Sequence, residues 1–126
     1  MDYPDLLVMK DELEYRSHFI NTYCNHPITS FDGFRVFFQK ERFEHAFYKS
    51  ANRNNIKDTF SFERAERIDW IGCALIDPSS DIRVGWDSCK KRYDKSFRVA
   101  IVVINYIVIV RITNLAKKRQ TSLPLT

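Results

Sequence analysis

The sequence predicts an α+β fold, with N-terminal helices packed on one face of a mostly antiparallel β-sheet and residues 1–126 forming a single domain. Three observations predict it. Residues 97–110 read FRVAIVVINYIVIV, a run whose Val and Ile content favours strands over a helix. Its one local turn candidate is the Asn105-Tyr106 step, so two central strands folded back as a hairpin fit it best. Three earlier stretches instead repeat apolar residues at helical spacing. The charge also divides along the chain: residues 1–78 carry ten Lys/Arg against thirteen Asp/Glu, whereas residues 79–126 carry ten against three. A basic sheet half of this kind suits a phosphate-bearing partner, and a solubilising surface charge accounts for it equally well.

Residues 4–23 form the first predicted helix. Its apolar stripe is Leu6, Met9, Leu13, Ile20 and Tyr23, and Asp2 and Asp5 sit at the positive end of its dipole. Asn25-His26-Pro27 stops it, because the residue before a proline disfavours helical angles. Residues 34–38 (FRVFF) predict a short strand. A second helix over 40–50 places Phe43, Ala46 and Phe47 on one face and His45 opposite, beside Glu41, Arg42, Tyr48 and Lys49. A polar loop, 51–58, leads to a third helix over 60–76, with Ala65, Ile68, Ile71 and Leu75 as its stripe and Asp77-Pro78 as its stop. Residues 82–85 alternate as a strand should. After the hairpin, 112–118 is a connection, and 119–125 adds an edge strand, the only place that tolerates Pro124.

Composition excludes several classes. Gly and Pro are few and aromatics abundant, which argues for a packed core rather than disorder. Cys24, Cys73 and Cys89 lack any CxxC spacing, which argues against a disulfide framework or a zinc site and fits a reducing cytoplasm. The start, MDYPDLLVMKDELEY, has no basic region ahead of an apolar stretch, so it does not read as a signal peptide. The run at 97–110 is shorter than the about 20 residues a membrane span needs, and no membrane attachment is expected. Gly33, Gly72 and Gly85 are isolated, so no phosphate-cradling glycine loop is present, nor is there an HExxH or EF-hand pattern. Neither a cofactor nor a metal is expected.

Several residues suit chemistry. His45 is a candidate proton-transfer group with Glu41 one turn back to orient it, although a solvated helix face with an i,i+4 pair explains the same residues. Arg64 and Arg67 suit a phosphate or the charge developing on phosphorus, because the guanidinium fork matches phosphate oxygens; pairing with Glu63 and Glu66 is the plainer alternative. Lys90, Lys91 and Arg92, with Tyr93 beside them, read as a backbone-contacting patch or as a solvated loop. Thr121 and Ser122 place hydroxyls near the chain end, where they suit contact with substrate, although as lone residues they carry no signal of their own.

Read together, three segments resemble one family. FSFERAERIDWIGCALIDP (60–78) resembles the arginine-bearing helix of the phage-encoded PBECR nucleases, the phage-Barnase–EndoU–Colicin–RelE-like group. GWDSCKKRYDKSFRVAIVVINYIVIVRI (85–112) is similar to that family's central hairpin, and FEHAFY (43–48) to its histidine-bearing helix. The resemblance implies a Barnase/EndoU/RelE-like core over 31–126, with 1–30 as a helical extension. It implies metal-independent cleavage of RNA, tRNA for example, by attack of the 2′-OH on the adjacent phosphate. Residue by residue, it implies His45, Arg67 and Thr121 as catalytic, with Arg64 the alternative helix arginine; the other residues singled out above, Lys90, Lys91, Arg92 and Ser122, are expected with Arg64 to bind substrate. The expectation is thus a phage- or prophage-derived, toxin-type endoribonuclease in the cytoplasm, partnered by an immunity or antitoxin protein. Two rivals stay open. The final stretch RQTSLPLT lacks the family's aromatic-rich last strand, which fits a nucleic-acid-binding module that does not cut. The amphipathic first helix fits a phage protein that binds and inhibits a host protein.

Overall fold

A computed structural model describes residues 2–50, 58–101 and 106–113. They form a mixed α+β fold whose principal sheet has three antiparallel strands. The chain divides into two compact units, Met1–Ile28 with Arg35–Trp70 and Thr29–Phe34 with Ile71–Thr126. It passes between them at β1 (Ile28–Thr29), near β2 (Arg35–Val36), and within a helix.

The first unit is built from aromatics. Helix α1 (Glu12–Phe19) runs on into a wider π-helical turn, Ile20–Cys24. Its buried residues are Tyr15, Phe19 and Tyr23, spaced four apart. This corrects the predicted stripe, since Leu6 and Leu13 are exposed. It also corrects the predicted helix over 4–23. Asp11 caps α1, its side chain accepting from the Glu14 N–H at 3.0 Å, so the helix starts there. The preceding residues satisfy their backbone through distant partners instead of helical ones. Trp70 Nε1 donates to the Pro4 carbonyl (2.7 Å), Leu7 N–H to the Glu66 carbonyl (2.8 Å), and the buried Tyr15 hydroxyl donates to Leu7 O (2.7 Å) while accepting from Met9 N–H (3.0 Å).

Helix α2 (Arg42–Phe47) is shorter than the predicted 40–50, because β3 (Tyr48–Lys49) leaves it to pair antiparallel with β4 (Thr59–Phe60). Phe43 and Phe47 are buried as expected and meet Phe19 at ring separations of 5.7 and 6.0 Å, whereas Ala46 is exposed. The predicted helix over 60–76 is two helices. Ser61 caps α3 (Phe62–Ala65) by accepting from the Arg64 N–H, and the chain turns at Glu66 and Arg67 before α4 (Ile68–Ile76). Ala65, Ile68 and Leu75 of the predicted stripe are fully buried, joined by Trp70 and Ala74; Ile71 is half-buried.

In the second unit the end of α4 and the sheet meet through Phe31. Its N–H donates to the Leu75 carbonyl (2.9 Å), and its ring meets Phe97 edge-on at 6.0 Å. Asp77 and Pro78 stop α4 as expected, with the Asp77 carboxylate accepting from the Ser79 N–H and hydroxyl. The sheet order is β5 (Asp81–Asp87), β6 (Arg92–Ile101), β7 (Tyr106–Ile112). Ile82, Phe97 and Val110 share one rung, and Val99 faces Val108. The predicted hairpin is thus present, but Tyr106 is a strand residue paired with Ile101 rather than part of the turn. Residues 102–105, with Asn105, lie outside the described residues, as do residues 51–57 of the predicted loop over 51–58 and the predicted edge strand at 119–125.

Candidate nucleic-acid interface

Strand alternation sorts the sheet into two faces. Phe97, Val99, Val108 and Val110 are buried on one. The other carries Arg83, Arg98, Ala100, Ile107, Ile109 and Arg111, all exposed. In register, Arg83 faces Ser96 and Ser96 faces Arg111, a row crossing all three strands. With strands about 4.8 Å apart, the two arginine backbones flank Ser96 at roughly 9–10 Å from one another. Arg98 lies one step along the same face, between Asp81 and Ile109. Arg83 Nε donates to Asp81 Oδ2 at 3.0 Å, an exposed pair of little energetic weight. Arg98 and Arg111 make no ion pair among the described residues. Their charge is therefore available to an outside anion.

The turn between β5 and β6 holds the patch singled out from the sequence. Asp87 Oδ1 accepts from the backbone N–H groups of Cys89 (3.0 Å) and Lys90 (3.1 Å), which organises the turn. The Lys90 N–H, and then that of Cys89, hold the Asp87 carboxyl below its ordinary value. Lys90 and Lys91 are exposed, and Lys91 takes a left-handed conformation (φ 52). Arg92 behaves differently: its Nε donates to Asp94 Oδ1 at 3.2 Å and most of its side chain is covered. Lys90 and Lys91 thus present free-facing ammonium groups in the turn, while Arg92 is tied within the sheet. Beside the turn, along the edge strand β5, Arg83, Gly85, Trp86, Asp94, Ser96 and Arg111 line an open depression of about 490 Å³. A Cβ added to Gly85 would meet nothing within 4 Å, so this glycine leaves the depression unfilled.

Of the residues expected to do chemistry, His45, Arg64 and Arg67 belong to the first unit. His45 is exposed on α2. Arg64 comes to the end of that helix, its Nη1 donating to the Tyr48 carbonyl at 2.9 Å. Arg67 turns elsewhere. Its Nη1 donates to the Glu63 carbonyl at 2.5 Å and its guanidinium lies 5.5 Å from the Trp70 ring centre. Geometry therefore associates Arg64, rather than Arg67, with the helix that bears His45. Thr121 and Ser122 lie outside the described residues.

One pairing was not anticipated. His18 Nε2 lies 2.7 Å from Asp69 Oδ1, and His18 Nδ1 lies 3.5 Å from the Thr22 hydroxyl. A carboxylate on one ring nitrogen fixes an imidazole's orientation and leaves the other nitrogen to exchange protons. The partners are 51 residues apart, so no local pattern announces them. Among the described residues no group of three or more His, Cys, Asp or Glu side chains is placed to hold a metal ion, and no helix is long and apolar enough to cross a membrane.

Comparison with protein-family models, curated proteins and solved structures finds no match for this chain.

Three of the interface arginines, Arg83, Arg98 and Arg111, are counted in the basic half of the sequence but are not singled out there as site residues. The signal was there in each case: a lone arginine between apolar neighbours (Ile82 and Val84, Phe97 and Val99, Val110 and Ile112) marks the outward position of an alternating strand.

Proposed function

We propose that the protein binds RNA, holding the phosphate backbone on the open face of its three-stranded sheet. The carrying observation is that Arg98 and Arg111 stand exposed on that face without ion pairs among the described residues, with Arg83 across the row. Guanidinium groups displace condensed counterions from a polyanion, and that release drives association. The net charge of +7 over residues 79–126 supports the same reading, because the described part of that segment is mostly this sheet and its turn. Binding of wild-type protein to total cellular RNA, titrated at rising salt, tests it. Affinity should fall steeply with salt and drop further in an Arg98→Ala/Arg111→Ala double variant. Equal, salt-insensitive binding by both would remove the reading.

A second reading, metal-independent cleavage of RNA, has its own support. It rests on the resemblance of 43–48, 60–78 and 85–112 to the PBECR nucleases, and on Arg64 reaching the helix of His45. In this chemistry His45 moves a proton and an arginine stabilises charge on phosphorus. The oriented His18–Asp69 pair is a competing proton-transfer group. Incubation with RNA in EDTA, with His45→Ala, His18→Ala, Arg64→Ala and Arg67→Ala in parallel, separates these roles. Discrete products ending in cyclic phosphate, lost in His45→Ala and Arg64→Ala alone, are expected. An uncut RNA leaves the protein as a binding module.

A further inference from the structure

We infer that the Trp86–Tyr93 pair is a stacking platform for the bases of a single-stranded RNA, so that the protein takes unpaired rather than duplex RNA. This rests on the proposed binding of RNA phosphate by the sheet. The two residues are directly opposed in the β5–β6 register, with ring centres 4.9 Å apart and planes inclined at 64°. They are 54% and 49% exposed, unusual for large aromatics in a chain whose other tryptophan, Trp70, is 4% exposed.

Their place in the register explains the exposure. β7 pairs with β6 only as far as Lys95, so the rungs Gly85–Asp94, Trp86–Tyr93 and Asp87–Arg92 lie beyond the third strand. A cross-strand aromatic pair stabilises its own hairpin, and that role needs only the faces the rings turn to each other. The outward ring surface is left over, and its surroundings are cationic. Lys90 and Lys91 stand exposed in the adjoining turn. Strand alternation puts the two rings on the side of Ile82 and Phe97, opposite Arg83, Arg98 and Arg111, so the turn lysines are the cations beside them. A strand that also reaches the arginines passes over the β5 edge, where Trp86 borders the same depression as Arg83 and Arg111. Aromatic rings interleaved with cations hold unpaired nucleic acid in general, the rings by stacking on bases and the cations by tracking phosphate. A duplex keeps its bases stacked on each other and offers an aromatic platform little to hold.

Tryptophan fluorescence tests the inference, because Trp70 is buried with its indole N–H bonded to Pro4 and only Trp86 is open to a ligand. The probes are a twelve-nucleotide oligouridine, a twelve-base-pair RNA duplex and inorganic polyphosphate of matched charge. Oligouridine should quench the emission that distinguishes wild type from Trp86→Phe, and should bind tighter than either other probe. Trp86→Ala should weaken it by about 10-fold, with Trp86→Phe recovering most of the loss. Unchanged far-UV circular dichroism shows that the variants fold. Polyphosphate or duplex binding as tightly as oligouridine, with Trp86 emission unmoved, overturns the stacking and leaves the phosphate reading in place. Binding of none of the three probes removes the phosphate reading and the stacking with it.

Discussion

The Lys95 ammonium lies 2.6 Å from the Asp32 carboxylate. It thereby fastens the segment 29–34 to the middle strand of the sheet, over the rings of Phe34 (4.6 Å) and Phe97 (5.5 Å). The two side chains are only 12% and 26% exposed, which places the pair among those whose disruption is costly. Burial pushes the Asp32 carboxyl up, but hydrogen bonds from Lys95 and Ser30 and the charge of Lys95 outweigh it, so it sits below its ordinary 3.8. A carboxylate depressed in the folded state stabilises the fold above 3.8, and that contribution is lost as pH falls through the lower folded value. Lys95→Met should cost about 2 kcal/mol in urea unfolding at neutral pH. Between about pH 5 and pH 2 the wild type should lose more stability than the variant, and parallel acid profiles would contradict the pairing.

Tyr15 closes the N-terminal segment onto α1. Its hydroxyl is fully buried and serves two backbone groups, Leu7 O and Met9 N–H. Tyr15→Phe keeps the ring and strands both partners, at a cost of about 1–3 kcal/mol. Amide exchange should report it locally, with Met9 losing protection before the residues of α1 do.

Lys91 lends itself to a variant whose two effects oppose each other. Its φ of 52 is a conformation in which a Cβ crowds the following carbonyl. Lys91→Gly should therefore stabilise the protein by about 0.5–1 kcal/mol in thermal unfolding. The same change deletes a cation from the turn, so RNA affinity should fall while stability rises. A loss of both would mean that the lysine side chain supports the turn itself.

Arg98 and Arg111 should each contribute one released counterion. Replacing either by Ala should reduce the slope of log affinity against log salt by about 0.7 for single-stranded RNA, and the double variant by about twice that. The residues lie on the open face and anchor nothing buried, so thermal stability should stay within about 0.5 kcal/mol of wild type. An unaltered slope would show that phosphate does not sit on this face.

The hairpin was legible because a dense β-branched run has few other ways to fold. Its inner and outer faces were harder to tell apart: exposed Ile107 and Ile109 are as apolar as buried Val108 and Val110, so hydropathy alone shows no alternation there. Charge carried the alternation instead, through Arg98 and Arg111. The first helix was overextended for a different reason. Leu6 and Met9 fall at helical spacing, but the backbone around them is satisfied by Tyr15, Glu66 and Trp70, which no local pattern anticipates. The later start of the third predicted helix likewise followed from nonlocal order: Phe60 pairs with Tyr48 in a strand, so helix formation waits for the Ser61 cap. The turn at Glu66 and Arg67 separates Arg67 from Arg64, whose Nη1 reaches the end of the helix that bears His45, and no spacing in the sequence anticipates that.

Gly85 separates shape from charge on the proposed interface. Its backbone does not require glycine and its missing Cβ would meet only open space. A graded series, Gly85→Ala, Gly85→Val and Gly85→Leu, would progressively plug the hollow while leaving Arg83, Arg98 and Arg111 untouched. The interface therefore has a steric dial that turns independently of its electrostatics, and selection or engineering could narrow the range of anions it admits without giving up the attraction that brings them.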